Sequence, residues 1–153
     1  MTAIHWQAPD EEVMTQLGLR LRAGFDRHRS GVVYLIGDLG MGKTTLSRAI
    51  IRAFGWPHSV KSPTYTLVES YDFDTFEVHH FDLYRIDDPE ELEYLGMDSY
   101  FDDRSICLIE WPDKGAPILP PADLSIRLIA QGDGRELVIQ SHSTIGNTWC
   151  QDW

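Results

Sequence analysis

The sequence is short of lysine, of cysteine and of long apolar runs, and each shortage closes off a class of function. Three lysines, Lys43, Lys61 and Lys114, stand in 153 residues, and 13 basic residues face 24 acidic ones for a formal charge of −11. So acidic a chain repels a phosphate backbone, which argues against tight nucleic-acid binding by this chain alone; any work on RNA needs a basic partner. Two cysteines, Cys107 and Cys150, make neither a disulfide framework nor a metal-ligand spacing. Cys107 sits inside Ile106-Cys107-Leu108-Ile109 and reads as a buried apolar residue. The longest apolar runs, such as Val32 to Ile36, reach about five residues, against roughly 20 needed to span a bilayer. Met1 to His5 carries neither a basic region nor an apolar core, so a secretory signal is not expected and the cytoplasm is. An N-K-x-D segment for reading guanine is missing, and so is any Cys/His cluster for zinc. His79 and His80 are adjacent in a strand-like run and project to opposite faces, which disfavours a shared metal and leaves one of them for the core.

What is present reads as one α/β domain over residues 1–141 with a tail, 142–153, whose pattern is weak. Pro9-Asp10-Glu11-Glu12 is a helix start with carboxylates near the positive helix end, and Val13, Leu17, Leu21 and Phe25 recur at four-residue spacing behind it. Val32-Val33-Tyr34-Leu35-Ile36 has the unbroken apolarity of a strand buried on both faces in a parallel sheet. A helix is expected from Lys43 to Phe54, stopped by Gly55 and Pro57. Thr66 to Phe73 and Phe76 to Phe81 form two strand-like runs around Asp74-Thr75, a hairpin pattern. Asp88-Pro89-Glu90-Glu91 caps a short helix that Gly96 ends. Ile106 to Ile109 is a further buried strand, and Leu124 to Ile129 with Glu136 to Gln140 flank Gln131-Gly132-Asp133-Gly134 as a second hairpin. Together these predict a mixed parallel and antiparallel sheet with helices on both faces. Trp149 and Trp153 in the tail are available to dock on the body or on a partner.

The chemistry concentrates in Gly37-Asp38-Leu39-Gly40-Met41-Gly42-Lys43-Thr44, a full match to the phosphate-binding loop G-x-x-x-x-G-K-[ST]. Gly40 and Gly42 let backbone N–H groups turn inward, and with the helix N-terminus they form an anion-binding concavity. Lys43 supplies a point charge for the β- and γ-phosphates of ATP, the Thr44 hydroxyl is placed to ligate Mg²⁺, and Thr45 faces the α-phosphate. Asp38, Leu39 and Met41 fill the remaining loop positions. Such a loop needs an acid at the end of a neighbouring strand to hold Mg²⁺ or its water shell. Asp82, after Val78-His79-His80-Phe81, and Glu110, after Ile106-Cys107-Leu108-Ile109, both qualify, and spacing does not say which is nearer the metal.

Three further segments accompany the loop: Ser62-Pro63-Thr64-Tyr65-Thr66-Leu67-Val68, His80-Phe81-Asp82-Leu83-Tyr84-Arg85 and Glu110-Trp111-Pro112. In order and spacing they closely resemble the TsaE (YjeE) family of small bacterial ATPases. The resemblance implies a P-loop NTPase-like fold and a part in making N6-threonylcarbamoyladenosine beside the tRNA anticodon. It also implies ATP and Mg²⁺ as cofactors, TsaD-like and TsaB-like proteins as partners, tRNA reached only through them, and hydrolysis that is weak until the partners stimulate it. Carried over residue by residue, Gly40, Gly42, Lys43, Thr44 and Thr45 hold the phosphates and the magnesium. Ser62, Thr64 and Thr66 lie in a switch-like segment that senses the γ-phosphate. Asp82 and Glu110 surround the metal and the attacking water, with Lys43 completing the catalytic set, and Trp111 lies near the nucleotide or the partner surface. Arg85 is a candidate charge stabiliser or the partner of a nearby acid, and Lys61 is equally open. Met41 departs from the small residue more usual in the family.

Two other functions use the same loop. A small-molecule kinase would need an acceptor pocket and an arginine-rich lid, whereas Arg104, Arg127 and Arg135 are scattered along the chain. A nucleotide-dependent adaptor would bind without hydrolysis, and substituting Asp82 and Glu110 separates it from an ATPase.

Overall fold

The computed structural model describes residues 3–151 and 153. Met1 and Thr2, at the start of the segment read as lacking a signal, and Asp152 of the tail lie outside the described residues. Among those described, seven strands form one sheet in the order β1-β7-β6-β2-β5-β4-β3. Their spans are β1 Ile4–Ala8, β2 Gly31–Ile36, β3 Val68–Asp72, β4 Glu77–Asp82, β5 Ser105–Glu110, β6 Leu124–Gln131 and β7 Gly134–Ser141. The four central strands β6, β2, β5 and β4 are mutually parallel, and β7, β1 and β3 add antiparallel edges. The mixed sheet expected from the sequence is therefore observed. Every residue of β5 is buried, as its unbroken apolar run requires.

One face carries α1 (Glu11–Phe25), α2 (Lys43–Ala53) and α4 (Thr144–Trp149). The Asp10 carboxylate accepts from the Val13 N–H at 3.1 Å and caps α1. The α1 stripe is rotated slightly from the expected one: Met14, Leu17, Leu21 and Phe25 are buried, and Val13 only half so. The helices α1 and α2 touch at Gly18, where an added Cβ would lie 2.8 Å from the Ala49 backbone. Arg22 of α1 donates to the Ala53 carbonyl at 2.9 Å, satisfying the C-terminal end of α2. The opposite face is covered by the one-turn helix α3 (Glu91–Tyr94) and by 3-10 turns at Met97–Tyr100 and Pro112–Gly115. The N-cap of α3 is Glu90, without a side-chain cap, not Asp88 as the sequence indicates, because Asp88-Pro89 forms a turn ahead of it. The expected reach-back is present, with the Glu91 carboxylate accepting from the Asp87 N–H at 3.1 Å and the Asp88 N–H at 3.4 Å.

The structure departs from the expected elements in three places. The strand β1 was not foreseen; five residues at a sheet edge carry too little alternation, and only pairing with β7 extends them. The run from Thr66 begins as a strand only at Val68, because Leu67 takes φ +67° and its N–H closes a turn on the Pro63 carbonyl at 2.8 Å. The weakly patterned tail forms α4, capped by Ser143, whose hydroxyl accepts from the Gly146 N–H at 3.1 Å. Trp149 docks on the body itself. Its ring meets Phe25 edge-on at 4.8 Å, and its indole N–H donates to the His28 carbonyl at 2.7 Å.

Because Trp149 is 1% exposed, its truncation leaves a cavity under α1. We expect Trp149→Ala to lower unfolding free energy by about 3–5 kcal/mol, read as a shift of the urea midpoint at unchanged slope. Trp149→Phe should lose distinctly less.

Candidate functional site

The loop after β2 lies at the C-terminal edge of the parallel strands, and strand register brings the two candidate acids beside it. Leu35 of β2 pairs with Glu110 of β5, and Glu110 pairs with Asp82 of β4. Side chains alternate across a sheet, so Ile106, Leu108 and Glu110 share the face that packs under α2, and so do Val78, His80 and Asp82. The apolar members of both rows belong to the core cluster that includes Leu46 and Ile50 of α2. Each row thus ends in a carboxylate directly below the helix N-terminus.

Gly40 (φ +79°) and Gly42 (φ +103°) occupy left-handed backbone conformations that an L side chain rarely adopts, and Gly42 is the N-cap of α2. Lys43, the first residue of that helix, is 5% exposed. Its ammonium is folded over the loop, donating to the Gly37 carbonyl and, at 2.9 Å, to the Asp38 carbonyl. It also lies 4.3 Å from the centre of the Trp111 ring. Burial pushes its pKa below the ordinary lysine value, with Glu110, Asp82 and Asp38 acting in the opposite sense. The Thr44 hydroxyl is 3.0 Å from both oxygens of Glu110. Glu110 is 3% exposed, and its Oε2 is 2.5 Å from His80 Nε2.

In front of this group lies a cavity of about 400 Å³. The loop from Leu39 to Thr45 forms its floor, Asp82, Glu110 and Trp111 one wall, and Thr64, Tyr84 and Arg85 its mouth. Of the residues singled out from sequence, Leu39, Gly40, Met41, Gly42, Lys43, Thr44, Thr45, Thr64, Asp82, Arg85, Glu110 and Trp111 are thus brought together. Asp38 takes part through its carbonyl. Ser62 and Thr66 stand outside the cavity: the Ser62 hydroxyl is 2.6 Å from that of Thr64, and Thr66 donates to Glu69 at 3.1 Å. Arg85 stacks over Tyr65 at 4.6 Å. Lys61 is tied in by its carbonyl, which accepts from the Tyr71 hydroxyl at 3.4 Å.

Sequence reasoning missed three contributors. Arg135, read as scattered, reaches from the β6–β7 hairpin to the loop and donates to the Met41 carbonyl at 3.1 Å and the Gly40 carbonyl at 3.2 Å. A second cavity of about 170 Å³ lies on the other side of the loop, between residues 8–11 and 133–135, and shares Gly40, Met41, Gly42 and Thr45 with the first. Both histidines are buried, not one of them. His79 faces Ser70 (2.7 Å), Ser105 (3.2 Å) and Glu77 (3.3 Å), whereas His80 faces Glu110.

Among the described residues no group of three or more His, Cys, Asp or Glu side chains is arranged to hold a metal ion. Mg²⁺ needs no such cage, since it keeps several waters and takes one or two carboxylates together with phosphate oxygens. The Thr44 hydroxyl and the Glu110 and Asp82 carboxylates are hard oxygen donors of that kind, so the residues present fit the ion.

A glycine loop joining a buried parallel strand to a helix, with a lysine and a threonine opening that helix over strand-end acids, defines a P-loop NTPase-like α/β domain. The family model described as threonylcarbamoyl adenosine biosynthesis protein TsaE matches residues 8–137. A tRNA threonylcarbamoyladenosine biosynthesis protein TsaE from Haemophilus influenzae is 42% identical over 149 residues, covering 95% of this chain and 94% of the relative. Its Bacillus subtilis counterpart is 32% identical over 149 residues, covering 97% and 90%. The crystal structure of Bacillus subtilis YdiB superposes with a TM-score of 0.80 at 27% identity, covering 99% of this chain and 93% of that one. The chain belongs to the TsaE family.

Burial raises the Asp82 carboxyl above its ordinary value; the Tyr84 N–H opposes this, Glu110 adds to it, and His80 and Lys43 oppose it. A raised folded-state pKa means that folding favours the protonated acid, so stability falls as pH rises from about 4, the unfolded value. Asp82→Asn is therefore expected to melt higher than the parent at pH 7, with the gap closing as pH falls to about 4. Thermal melts across that pH range without nucleotide check this.

Proposed function

We propose that the chain binds ATP with Mg²⁺ on the Gly37–Thr44 loop and hydrolyses it as an accessory step of tRNA threonylcarbamoyladenosine biosynthesis, acting on TsaD-like and TsaB-like proteins in the cytoplasm. The observation that carries the reading is the Lys43–Thr44–Glu110 group at the floor of an open cavity. The loop N–H groups and the α2 N-terminus receive the phosphates, and Lys43 leaves its two carbonyls for the β- and γ-oxygens. Thr44, Glu110 and Asp82 would hold the metal, whose chemistry would be to neutralise charge developing between the β- and γ-phosphates. One of these two carboxylates, Asp82 or Glu110, would also orient the attacking water. The second cavity, which shares Gly40, Met41, Gly42 and Thr45 with the first, is the space for the nucleoside.

The mouth of the cavity supports partner dependence. Arg85 is stacked on Tyr65 (83% exposed) at the surface, so on this reading Arg85 is not held over the γ-phosphate position until a partner moves it there. Slow turnover that a partner accelerates is the expected consequence. The acidic charge agrees with tRNA being held by the partners, because the −11 chain would be repelled by the tRNA backbone.

The test is ATP hydrolysis by the purified chain, alone and with a TsaD–TsaB pair, coupled to counting rounds of tRNA modification. We expect stimulation by the pair, loss of binding and turnover in Lys43→Ala, and retained ATP binding with about 100-fold or greater loss of turnover in Glu110→Gln. Retained function of Glu110→Gln and Asp82→Asn without hydrolysis would make the chain an adaptor. Phosphate transfer to a metabolite with no response to the pair would make it a kinase.

A further inference from the structure

The two adjacent histidines of β4 differ in what they touch. His79 bonds to Ser70 on β3 and Ser105 on β5 and lies 3.3 Å from Glu77, so it stitches three strands together. His80 points to the α2 face and is 1% exposed; among the described residues its ring makes one hydrogen bond, Nε2 to Glu110 Oε2 at 2.5 Å, and its buried Nδ1 makes none. Burying an imidazole with one nitrogen unpartnered is costly, and its same-face neighbour Val78 is 0% exposed, so an apolar residue would serve the core better. What the ring contributes is its bond to Glu110. An ionised carboxylate only accepts, so Nε2 carries the proton and donates.

We propose that His80 is a positioning residue for the divalent cation. It pins one region of the buried Glu110 carboxylate from below while the Thr44 hydroxyl meets the carboxylate from above at 3.0 Å. Glu110 is thereby held with its lone pairs toward the space between Thr44 and Asp82, where the metal of the bound nucleotide would lie. Without that donor the carboxylate is free to rotate away from Asp82, whose charge opposes it one strand over. Carboxylate ligands are commonly oriented by hydrogen bonds from residues that never touch the ion. The inference rests on the ATP and Mg²⁺ reading above.

The test is a Mn²⁺ titration, followed by electron paramagnetic resonance, of the full chain carrying a non-hydrolysable ATP analogue. The metal-free affinity for the same analogue is measured in parallel. His80→Leu removes the donor with an apolar side chain, and His80→Asn keeps polarity but falls short of Glu110. His80→Gln brings an amide N–H close to the place of Nε2. We expect Mn²⁺ affinity about tenfold or more weaker in the Leu and Asn variants, unchanged metal-free analogue affinity, and recovery to within about threefold in the Gln variant. Should the Leu variant not fold, the Asn and Gln pair makes the same comparison. Unaltered Mn²⁺ affinity in a folded Leu or Asn variant, or a Gln variant as weak as Asn, overturns the role of His80. A wild-type chain that takes up neither the analogue nor Mn²⁺ overturns the nucleotide reading instead.

Discussion

The structure turns on a carboxylate buried at the end of a wholly buried strand. Glu110 closes β5, a strand with every residue inside, and a charge there is tolerable only if it is hydrogen-bonded. Thr44 and His80 supply those bonds. Through them the first turn of α2, the end of β5 and the middle of β4 become one unit, and the Gly37–Thr44 loop is held at a fixed height over the sheet. An acid that only decorated a strand end would sit in water and fix nothing.

The loop is braced from two further sides. Lys43 fastens it from within by bonding to the carbonyls of Gly37 and Asp38, and Arg135 fastens it from outside by bonding to those of Gly40 and Met41. A loop rich in glycine loses much conformational entropy on ordering, and these cations offset part of that loss before any ligand arrives. The lysine bonds are temporary on the ATP reading, since the same ammonium must turn to the phosphates, whereas Arg135 faces the loop from the side away from Asp82 and Glu110. Trp111, left-handed at φ +56°, roofs the lysine and sets the edge of the cavity. In this way the permanent and the exchangeable parts of the site are held by different residues.

The sheet's edges serve the same end. The parallel centre aligns β2, β5 and β4 so that their C-terminal ends fall together, and the antiparallel hairpin β6–β7 carries Arg135 back to the loop. The helix α4 then seals α1 from beneath through Trp149 and Phe25, which keeps the α1–α2 pair, and with it the N-terminus of α2, in place.

Much of this was legible in the sequence because it is local. The G-x-x-x-x-G-K-[ST] spacing, the unbroken apolarity of β2 and β5, the Asp10 cap and the turn at Gly132 are each set by neighbours within a few residues, where backbone sterics and hydrophobic period decide. The acids Asp82 and Glu110 were nameable for the same reason, as each ends an apolar run. Their order was not: only the register Asp82↔Glu110↔Leu35 puts Glu110 on Thr44. Likewise His80 looked like one half of a histidine pair, Arg135 like one of several scattered arginines, and residues 142–153 like a patternless tail. Their roles come from contacts across 30 residues for His80 to Glu110, 94 for Arg135 to Met41 and 121 for Trp149 to His28. Such contacts leave no periodic trace in the chain, because hydrogen-bond partners so far apart are chosen by how the sheet and helices pack, not by what stands next to them in sequence.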